Sequence, residues 1–204
     1  MVGGCSLKNK ESFRGKAVCE LGAGMTAMAG LALGAVVPLR RLYLTDGNED
    51  SAVCIKENVE LNRAALATSD SAGSASGAEA VDVRGGVLVW DRNDPLDGEA
   101  GQYDVLIAAD CLFFDDYHDD LIHVIKTLLR PTPPRGEAII MGPRRGKTLD
   151  LFCERAEASG LRIEKHERYD DEVGVSSSPI PCIMSLTCSL CCRRRGDCYL
   201  IGVE

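Results

Sequence analysis

Short apolar runs alternate with segments of helical periodicity along the whole chain. Each run is four to seven residues long and rich in Val, Ile, Leu and Ala, as strands are. The run 103–108 is apolar almost throughout, which indicates a strand buried on both faces. The pattern predicts seven strands, at residues 17–21, 41–45, 87–90, 103–108, 137–142, 162–168 and 199–203.

Helical spacing of apolar residues fills the intervals between these runs. Residues 49–62 predict a helix with Val53 and Leu61 on its apolar face. Residues 117–129 predict another, with a core-facing stripe that prolines after residue 130 terminate; the stripe comprises Leu121, Ile122, Ile125 and Leu128. Further helices are predicted at residues 26–33 and 148–159.

Alternating strands and helices are typical of a doubly wound α/β fold. We therefore expect a Rossmann-like, mostly parallel seven-strand sheet with helices on both faces. The 204 residues suit one domain over 1–204. The Ser, Ala and Gly-rich stretch 64–80 is predicted to be a flexible insertion within it.

Charge and composition exclude several functions. A net charge of −8 argues against nucleic-acid binding, which needs a basic surface to meet phosphates. No apolar run is long enough to span a bilayer and no signal segment is visible, so we expect no membrane association and a cytoplasmic protein, with the nucleus as a second location.

The ten cysteines do not predict a metal site or a disulfide framework. Cys19, Cys54, Cys111 and Cys153 fall within apparently regular elements, where a reduced cysteine behaves as a small apolar residue. Cys188-x-x-Cys191 is half of a zinc pattern without a second half. The three histidines lack ligand spacing, and we expect surface or capping roles for them; they are His118, His123 and His166.

A glycine turn follows the first predicted strand, in the run Glu20-Leu21-Gly22-Ala23-Gly24. Glycines allow close approach of the backbone to a ligand, and the following helix directs N–H groups at it. Asp46 ends the second predicted strand, about twenty residues on, where a carboxylate can hold the two hydroxyls of a ribose. The turn predicts a nucleoside-containing cofactor and leaves two classes open, S-adenosylmethionine and a nicotinamide dinucleotide.

Longer motifs favour the first class. The sequence resembles the calmodulin-lysine methyltransferase family, which belongs to the seven-strand protein-lysine methyltransferases, over roughly residues 13–170. Besides the glycine turn and Trp90-Asp91, the resemblance rests on the runs Thr45-Asp46-Gly47-Asn48-Glu49, Ala109-Asp110-Cys111-Leu112-Phe113 and Pro143-Arg144-Arg145-Gly146.

The resemblance implies a role for each of several residues around S-adenosyl-L-methionine. Gly22, Ala23 and Gly24 would wrap its methionine part, with Glu20 near the amino group, and Asp46 would hold the ribose. Trp90 would lie against the adenine, although a lone tryptophan at a strand end is usually a core residue, and Ala109 would allow close approach of the cofactor.

The resemblance also implies how the substrate is bound. Asp110 would capture the incoming lysine ammonium, and Phe113 would form a wall of the lysine channel and stabilise the cation. Alternatively, Asp110 caps a turn. The basic residues Arg144, Arg145 and Lys147 would steer acidic calmodulin, or form a solvated loop.

Two alternatives remain beside a lysine methyltransferase acting on calmodulin or on another protein. One is a nicotinamide-dependent oxidoreductase, for which no Tyr-x-x-x-Lys pair follows the fourth predicted strand. The other is a non-catalytic remnant. Members of the family carry a cover segment before the first strand that this sequence lacks, so we expect either weaker cofactor binding or a sequence that is a piece of a longer one.

Overall fold

The structure, a computed structural model, describes residues 10–67, 81–142, 146–164 and 200–202. It contains one sheet of seven strands in the order β3-β2-β1-β4-β5-β7-β6. The strands are β1 (Ala17–Leu21), β2 (Arg41–Asp46), β3 (Asp82–Val87), β4 (Val105–Ala109), β5 (Glu137–Met141), β6 (Ile163–Glu164) and β7 (Leu200–Gly202).

The first five strands pair in parallel, and the short β7 pairs antiparallel with both β5 and β6. The strand order reverses between β1 and β4, where open α/β sheets bind ligands beyond the carboxyl ends of their strands. The predicted doubly wound fold is therefore confirmed.

Helices cover both faces of the sheet. Buried apolar side chains of the longer helices pack on alternate residues of the strands, which produces two separate cores. The helices are α1 (Met28–Val36), α2 (Glu49–Leu61), α3 (Arg63–Ala67), α4 (His118–Leu128) and α5 (Thr148–Ala158).

Successive apolar side chains of β1 belong alternately to the two cores. Cys19 and Leu21 belong to the core under α4 and α5, whereas Val18 belongs to the core under α1 and α2. The stripe of α4 is buried as predicted, with Leu121, Ile122, Ile125 and Leu128 all inside.

Three local predictions were wrong. The third strand occupies Asp82–Val87 rather than 87–90, so that Trp90 lies beyond it. Helix α2 buries Ala52, Ile55 and Val59, whereas the predicted face is exposed, with Val53 at 54% and Leu61 at 82%.

The third wrong prediction concerns the start of the predicted flexible insertion, because residues 64–67 belong to helix α3. Residues 68–80 of that stretch lie outside the described part of the chain, as do residues 165–168 of the predicted sixth strand.

The described cysteines are free thiols, and Cys19, Cys111 and Cys153 are buried as predicted, while Cys54 is half-buried. None of the helices in the described ranges combines the length and apolar character that a bilayer crossing requires. Within the same ranges, no three His, Cys, Asp or Glu side chains are grouped so that they could hold a metal ion.

Candidate cofactor and substrate site

The carboxyl ends of β1, β2 and β4 lie side by side, because β1 pairs in parallel with both of the other strands. Residues that follow these strands are separated widely in sequence but meet at one edge of the sheet. The predicted site residues Gly22, Asp46 and Asp110 are thereby brought to the same rim.

The glycine turn leaves β1 with two residues in the left-handed region, Gly22 at φ +64° and Gly24 at φ +62°. A side chain would be strained at both positions. No atom lies within 4 Å of the place where a Cβ of Gly24 would stand. This part of the turn therefore presents bare backbone to open space, as close approach of a ligand requires.

Asp46 fixes the turn against the end of β2. Its Oδ2 accepts a hydrogen bond from the Gly24 N–H at 2.8 Å, and its Oδ1 accepts one from the Asn48 N–H at 2.9 Å. Each carboxylate oxygen has a second lone pair. Asp46 can thus hold the turn and still accept hydrogen bonds from ligand hydroxyls.

Glu20 is buried on the face of β1 that α1 covers, and its Oε2 accepts the Gly30 N–H at 2.8 Å. A Cβ on Gly30 would lie 2.5 Å from that oxygen and 2.2 Å from Leu44 Cδ2, so that only glycine allows α1 to pack this closely. Burial raises the pKa of Glu20 from 4.5 to about 7, against the opposing effect of the Gly30 hydrogen bond. The predicted contact of Glu20 with a cofactor amino group stays a prediction.

Trp90, Cys111 and Gly22 form a three-way contact at the rim. A Cβ on Gly22 would lie 2.8 Å from Cys111 Sγ and 3.3 Å from Trp90 Cζ2. The single S–H of Cys111 is shared between the carbonyl oxygens of Leu21 and Ala109, each 3.4 Å from Sγ. Burial raises the pKa of this thiol to about 12. Cys111 therefore links the glycine turn, the segment after β3 and the end of β4 as a neutral packing residue.

Trp90 is only partly buried, with one part of its surface packed on the core under α4 and α5. It thus satisfies part of the core interpretation and still presents surface at the rim. The predicted contact with adenine stays a prediction.

Asp110 has a left-handed backbone, with φ +56°, and its side chain is exposed. Its N–H donates to the Met141 carbonyl oxygen at 2.7 Å, which ties the end of β4 to the end of β5. Aspartate tolerates this conformation better than most residues, yet it still costs conformational energy. Strained backbone of this kind is concentrated at functional sites.

The segment after Asp110 turns back into the core before α4 begins. Leu112 is buried, whereas Phe113 is 48% exposed. The His118 Nε2 lies 3.2 Å from the Leu112 carbonyl oxygen, and the His118 ring packs edge-on against Phe152 at 5.3 Å between centroids. His118 is therefore buried at the start of α4, and a surface position for it was the wrong expectation.

The structure places most of the sequence-predicted residues at one rim. Ala109 is exposed beside Asp110, and Ala23 is held by its N–H, which donates to the Thr45 carbonyl oxygen at 2.8 Å. Of the predicted basic residues, Lys147 is exposed just before α5, while Arg144 and Arg145 lie outside the described residues.

Sequence reasoning missed Gly30, and it assigned no function to Cys111. Both act through contacts between residues far apart in sequence. The one signal in the sequence that could have identified Gly30 was a small residue in a predicted helix near a buried acid.

Comparison with known proteins identifies the fold and the family of this chain. The family profile described as lysine methyltransferase matches residues 4–157. A calmodulin-lysine N-methyltransferase from Arabidopsis thaliana is 34% identical over 163 residues, which cover 80% of this chain and 49% of that protein. The chain thus spans about half the length of this curated relative.

Solved structures resemble the fold at low sequence identity. A putative methyltransferase of Haloferax volcanii, solved in complex with the Trm112 methyltransferase activator, is 15% identical with a TM-score of 0.53, covering 97% of this chain and 87% of that one. A SAM-dependent methyltransferase from Aquifex aeolicus is 18% identical with a TM-score of 0.50, covering 78% and 79%.

Proposed function

Because the chain belongs to the lysine methyltransferase family, we propose that it transfers methyl groups from S-adenosylmethionine to a lysine side chain of calmodulin. The family and the fold are those of S-adenosylmethionine-dependent methyltransferases, which excludes the nicotinamide alternative. The observation that carries the proposal is the convergence of the glycine turn, Asp46 and Asp110 at one rim of the sheet.

The rim fits the cofactor in three respects. The turn offers open backbone at Gly24, Asp46 retains acceptor capacity for hydroxyl groups, and Trp90 presents part of a flat aromatic surface. When bound, S-adenosylmethionine supplies a methyl group on a positively charged sulfur, which a nitrogen lone pair can take while the bonding electrons return to sulfur. Asp46, Trp90, Gly22 and Gly24 would hold it in a fixed orientation.

Asp110 would receive the substrate. A lysine side chain has a pKa of about 10.4 in water and arrives as an ammonium ion, which a carboxylate attracts. The side chain of Asp110 is exposed at the rim while its backbone is tied to β5. Phe113 would shield the nitrogen so that the neutral form is favoured, and the ammonium proton would leave to water. Asp110 would hold the neutral amine in line with the reacting methyl group.

Calmodulin is the finer part of the proposal. Its support is the 34% identity with the Arabidopsis calmodulin-lysine N-methyltransferase and the basic residues Arg144, Arg145 and Lys147, which suit an acidic protein. A different protein substrate within the same lysine methyltransferase chemistry is the second candidate.

The test is methyl transfer from radiolabelled S-adenosylmethionine to purified unmethylated calmodulin, with the labelled residue located by mass spectrometry. Asp110→Asn is the matched control, since asparagine keeps the shape and tolerates the left-handed backbone. Label on one calmodulin lysine, lost with the variant, supports the full proposal.

Two other outcomes separate its parts. If calorimetry shows saturable cofactor binding but calmodulin is not labelled, the proposed substrate would be another protein. Neither binding nor label would contradict the proposed activity and favour a non-catalytic remnant.

A further inference from the structure

Three aromatic side chains beside Asp110 face solvent together, and we name Phe113, Phe114 and Tyr117 the aromatic ridge. They are 48%, 60% and 54% exposed. The ring centroids of Phe113 and Phe114 are 4.5 Å apart, and those of Phe114 and Tyr117 are 6.2 Å apart. The rings thus form one continuous apolar surface, and contiguous exposed apolar surface of this kind marks interaction sites.

The backbone that carries the aromatic ridge is held at several points. The His118 ring contacts the Leu112 carbonyl oxygen, and the Arg155 guanidinium donates to the Asp115 carbonyl oxygen at 3.0 Å. The Tyr117 N–H donates to the Phe114 carbonyl oxygen at 3.3 Å. The rings are therefore exposed on a fixed support, and binding a partner would not require ordering of this segment.

Four aspartates are close in sequence to the aromatic ridge. Asp115 and Asp116 stand between its rings in sequence, and Asp119 and Asp120 follow in the first turn of α4. Two guanidinium groups contact this set: Arg92 pairs with Asp120 at 2.7 Å, and Arg155 approaches Asp119 at 3.5 Å. Among the described residues, this leaves a local excess of two negative charges.

We propose that the aromatic ridge is the docking surface for the substrate segment that surrounds the target lysine. The segment it fits carries an apolar side chain close to the lysine and basic rather than acidic residues around it. Apolar contact comes from the rings, and the carboxylates repel an acidic segment and attract a basic one. The inference rests on the proposed lysine methyl transfer and holds for whichever protein is the substrate.

Continuity with the site supports this occupant. Phe113 is three residues from Asp110, and the other two rings lie on the same segment, whose backbone is held by the contacts described above. A lysine bound at Asp110 would therefore bring its sequence neighbours onto the ridge. The inference concerns the residues beside the target lysine and not the net charge of the whole substrate protein.

Peptide binding tests the inference without relying on catalysis. Three peptides of equal length would carry one central lysine, flanked by leucine and arginine, by leucine and glutamate, or by serine and arginine. Binding to the full chain would be followed by fluorescence anisotropy at physiological salt with S-adenosylhomocysteine present. We expect the first peptide to bind at least fivefold more tightly than either of the others.

The variants Phe114→Ala and Tyr117→Ala should abolish that preference, and Tyr117→Phe should restore it. Leu61→Ala, which truncates an exposed apolar side chain on α2, is the matched control and should leave it unchanged. Equal binding of all peptides, including no measurable binding by any, would overturn the inference. So would a preference that both alanine variants retain.

Light scattering identifies competing occupants. If the alanine variants convert a dimer into a monomer, the ridge is an interface between two copies and the inference is wrong. If they raise the affinity for all three peptides, a segment of this chain covers the ridge and the inference is also wrong.

Kinetics on calmodulin separates this inference from the proposed function. If the unmodified chain methylates calmodulin, Phe114→Ala should raise KM for the protein about tenfold while kcat and cofactor affinity remain unchanged. An unchanged KM would contradict the docking surface and leave the methyltransferase intact. Absence of transfer with a retained peptide preference would contradict the activity on calmodulin alone.

Discussion

At the amino ends of the parallel strands, the buried Asp104 carboxylate accepts the Ala17 N–H at 2.8 Å and pairs with Arg40 at 3.3 Å and Arg130 at 2.6 Å. Near the carboxyl ends, the buried Glu20 carboxylate has one donor among the described residues, the Gly30 N–H. Asp104 has two cationic partners, whereas burial raises the pKa of Glu20.

The backbone conformation also differs between the amino and the carboxyl ends of the strands. Two non-glycine residues at the carboxyl ends, Ala27 and Asp110, have a left-handed backbone, whereas the left-handed residues that precede β1 and β4 are the glycines Gly15 and Gly101. The ion pairs Lys16–Glu137 and Arg41–Asp82 line the amino ends. Ion pairs thus mark the amino ends. Strained non-glycine backbone and exposed candidate site residues meet at the carboxyl ends, as is typical of functional sites.

The largest expected effect comes from replacing Asp110, at the carboxyl ends, with asparagine. Asp110→Asn should lower kcat/KM for methyl transfer by about 10³-fold and leave the free energy of unfolding unchanged within about 0.5 kcal/mol. Steady-state kinetics and urea denaturation measure the two effects. Loss of stability with retained activity would reverse the assignment of the ends.

The next effect is the pH dependence caused by Glu20. Below pH 4.5 its carboxyl is neutral in both folded and unfolded chains. As pH rises from 4.5 to about 7, the unfolded chain ionises first, so that stability falls by about 3 kcal/mol and then levels off.

Glu20→Gln should remove this loss because a Gln oxygen can still accept the Gly30 N–H. The difference in unfolding free energy between variant and parent, measured by urea denaturation without cofactor, should be near zero at pH 4.5 and about 3 kcal/mol at pH 8. A difference that does not change with pH would show that Glu20 has an ordinary pKa.

A smaller effect is expected for Asp104→Asn. The amide can still accept the Ala17 N–H, but it loses the charge that Arg40 and Arg130 contact. We expect a loss of about 2 kcal/mol in unfolding free energy with unchanged affinity for S-adenosylmethionine. A large loss of cofactor affinity in a stably folded variant would mean that the two ends are coupled.

The smallest effect should come from Arg40→Ala, because Arg40 is 54% exposed and its ion pair is largely solvated. The expected loss of unfolding free energy is below about 1 kcal/mol. Thermal unfolding at low and high salt measures it, and a loss as large as that of Asp104→Asn would show that one cation carries the whole network.

The strand and helix order could be predicted from the sequence, since the alternation of apolar runs reflects burial on both sheet faces. The third strand shows why boundaries could not. It contains the run Arg84-Gly85-Gly86, and two adjacent glycines in a sequence are typical of a turn. In the fold, a Cβ on Gly85 would meet Ile55 at 2.5 Å and a Cβ on Gly86 would meet the Tyr43 hydroxyl at 2.6 Å. Packing between distant elements selects glycine there.

The site was partly predictable for the same reason. The pattern of the glycine turn and Asp46 follows from parallel strands that end at one edge, and the 2.8 Å contact between Gly24 and Asp46 confirms their proximity. The left-handed backbone of Asp110 leaves no trace in the sequence, because aspartate occurs in both conformations. The contact of Cys111 with Gly22 depends on a fold that joins distant segments.

That left-handed backbone also bears on how such a protein can change over evolutionary time. Asparagine and glycine are the two other residues most at ease there, and each is one nucleotide away from an aspartate codon. A lineage could therefore lose the carboxylate that we propose captures the substrate lysine in a single step, while keeping this backbone conformation. Such a descendant would keep the fold and the proposed cofactor site without the proposed reaction.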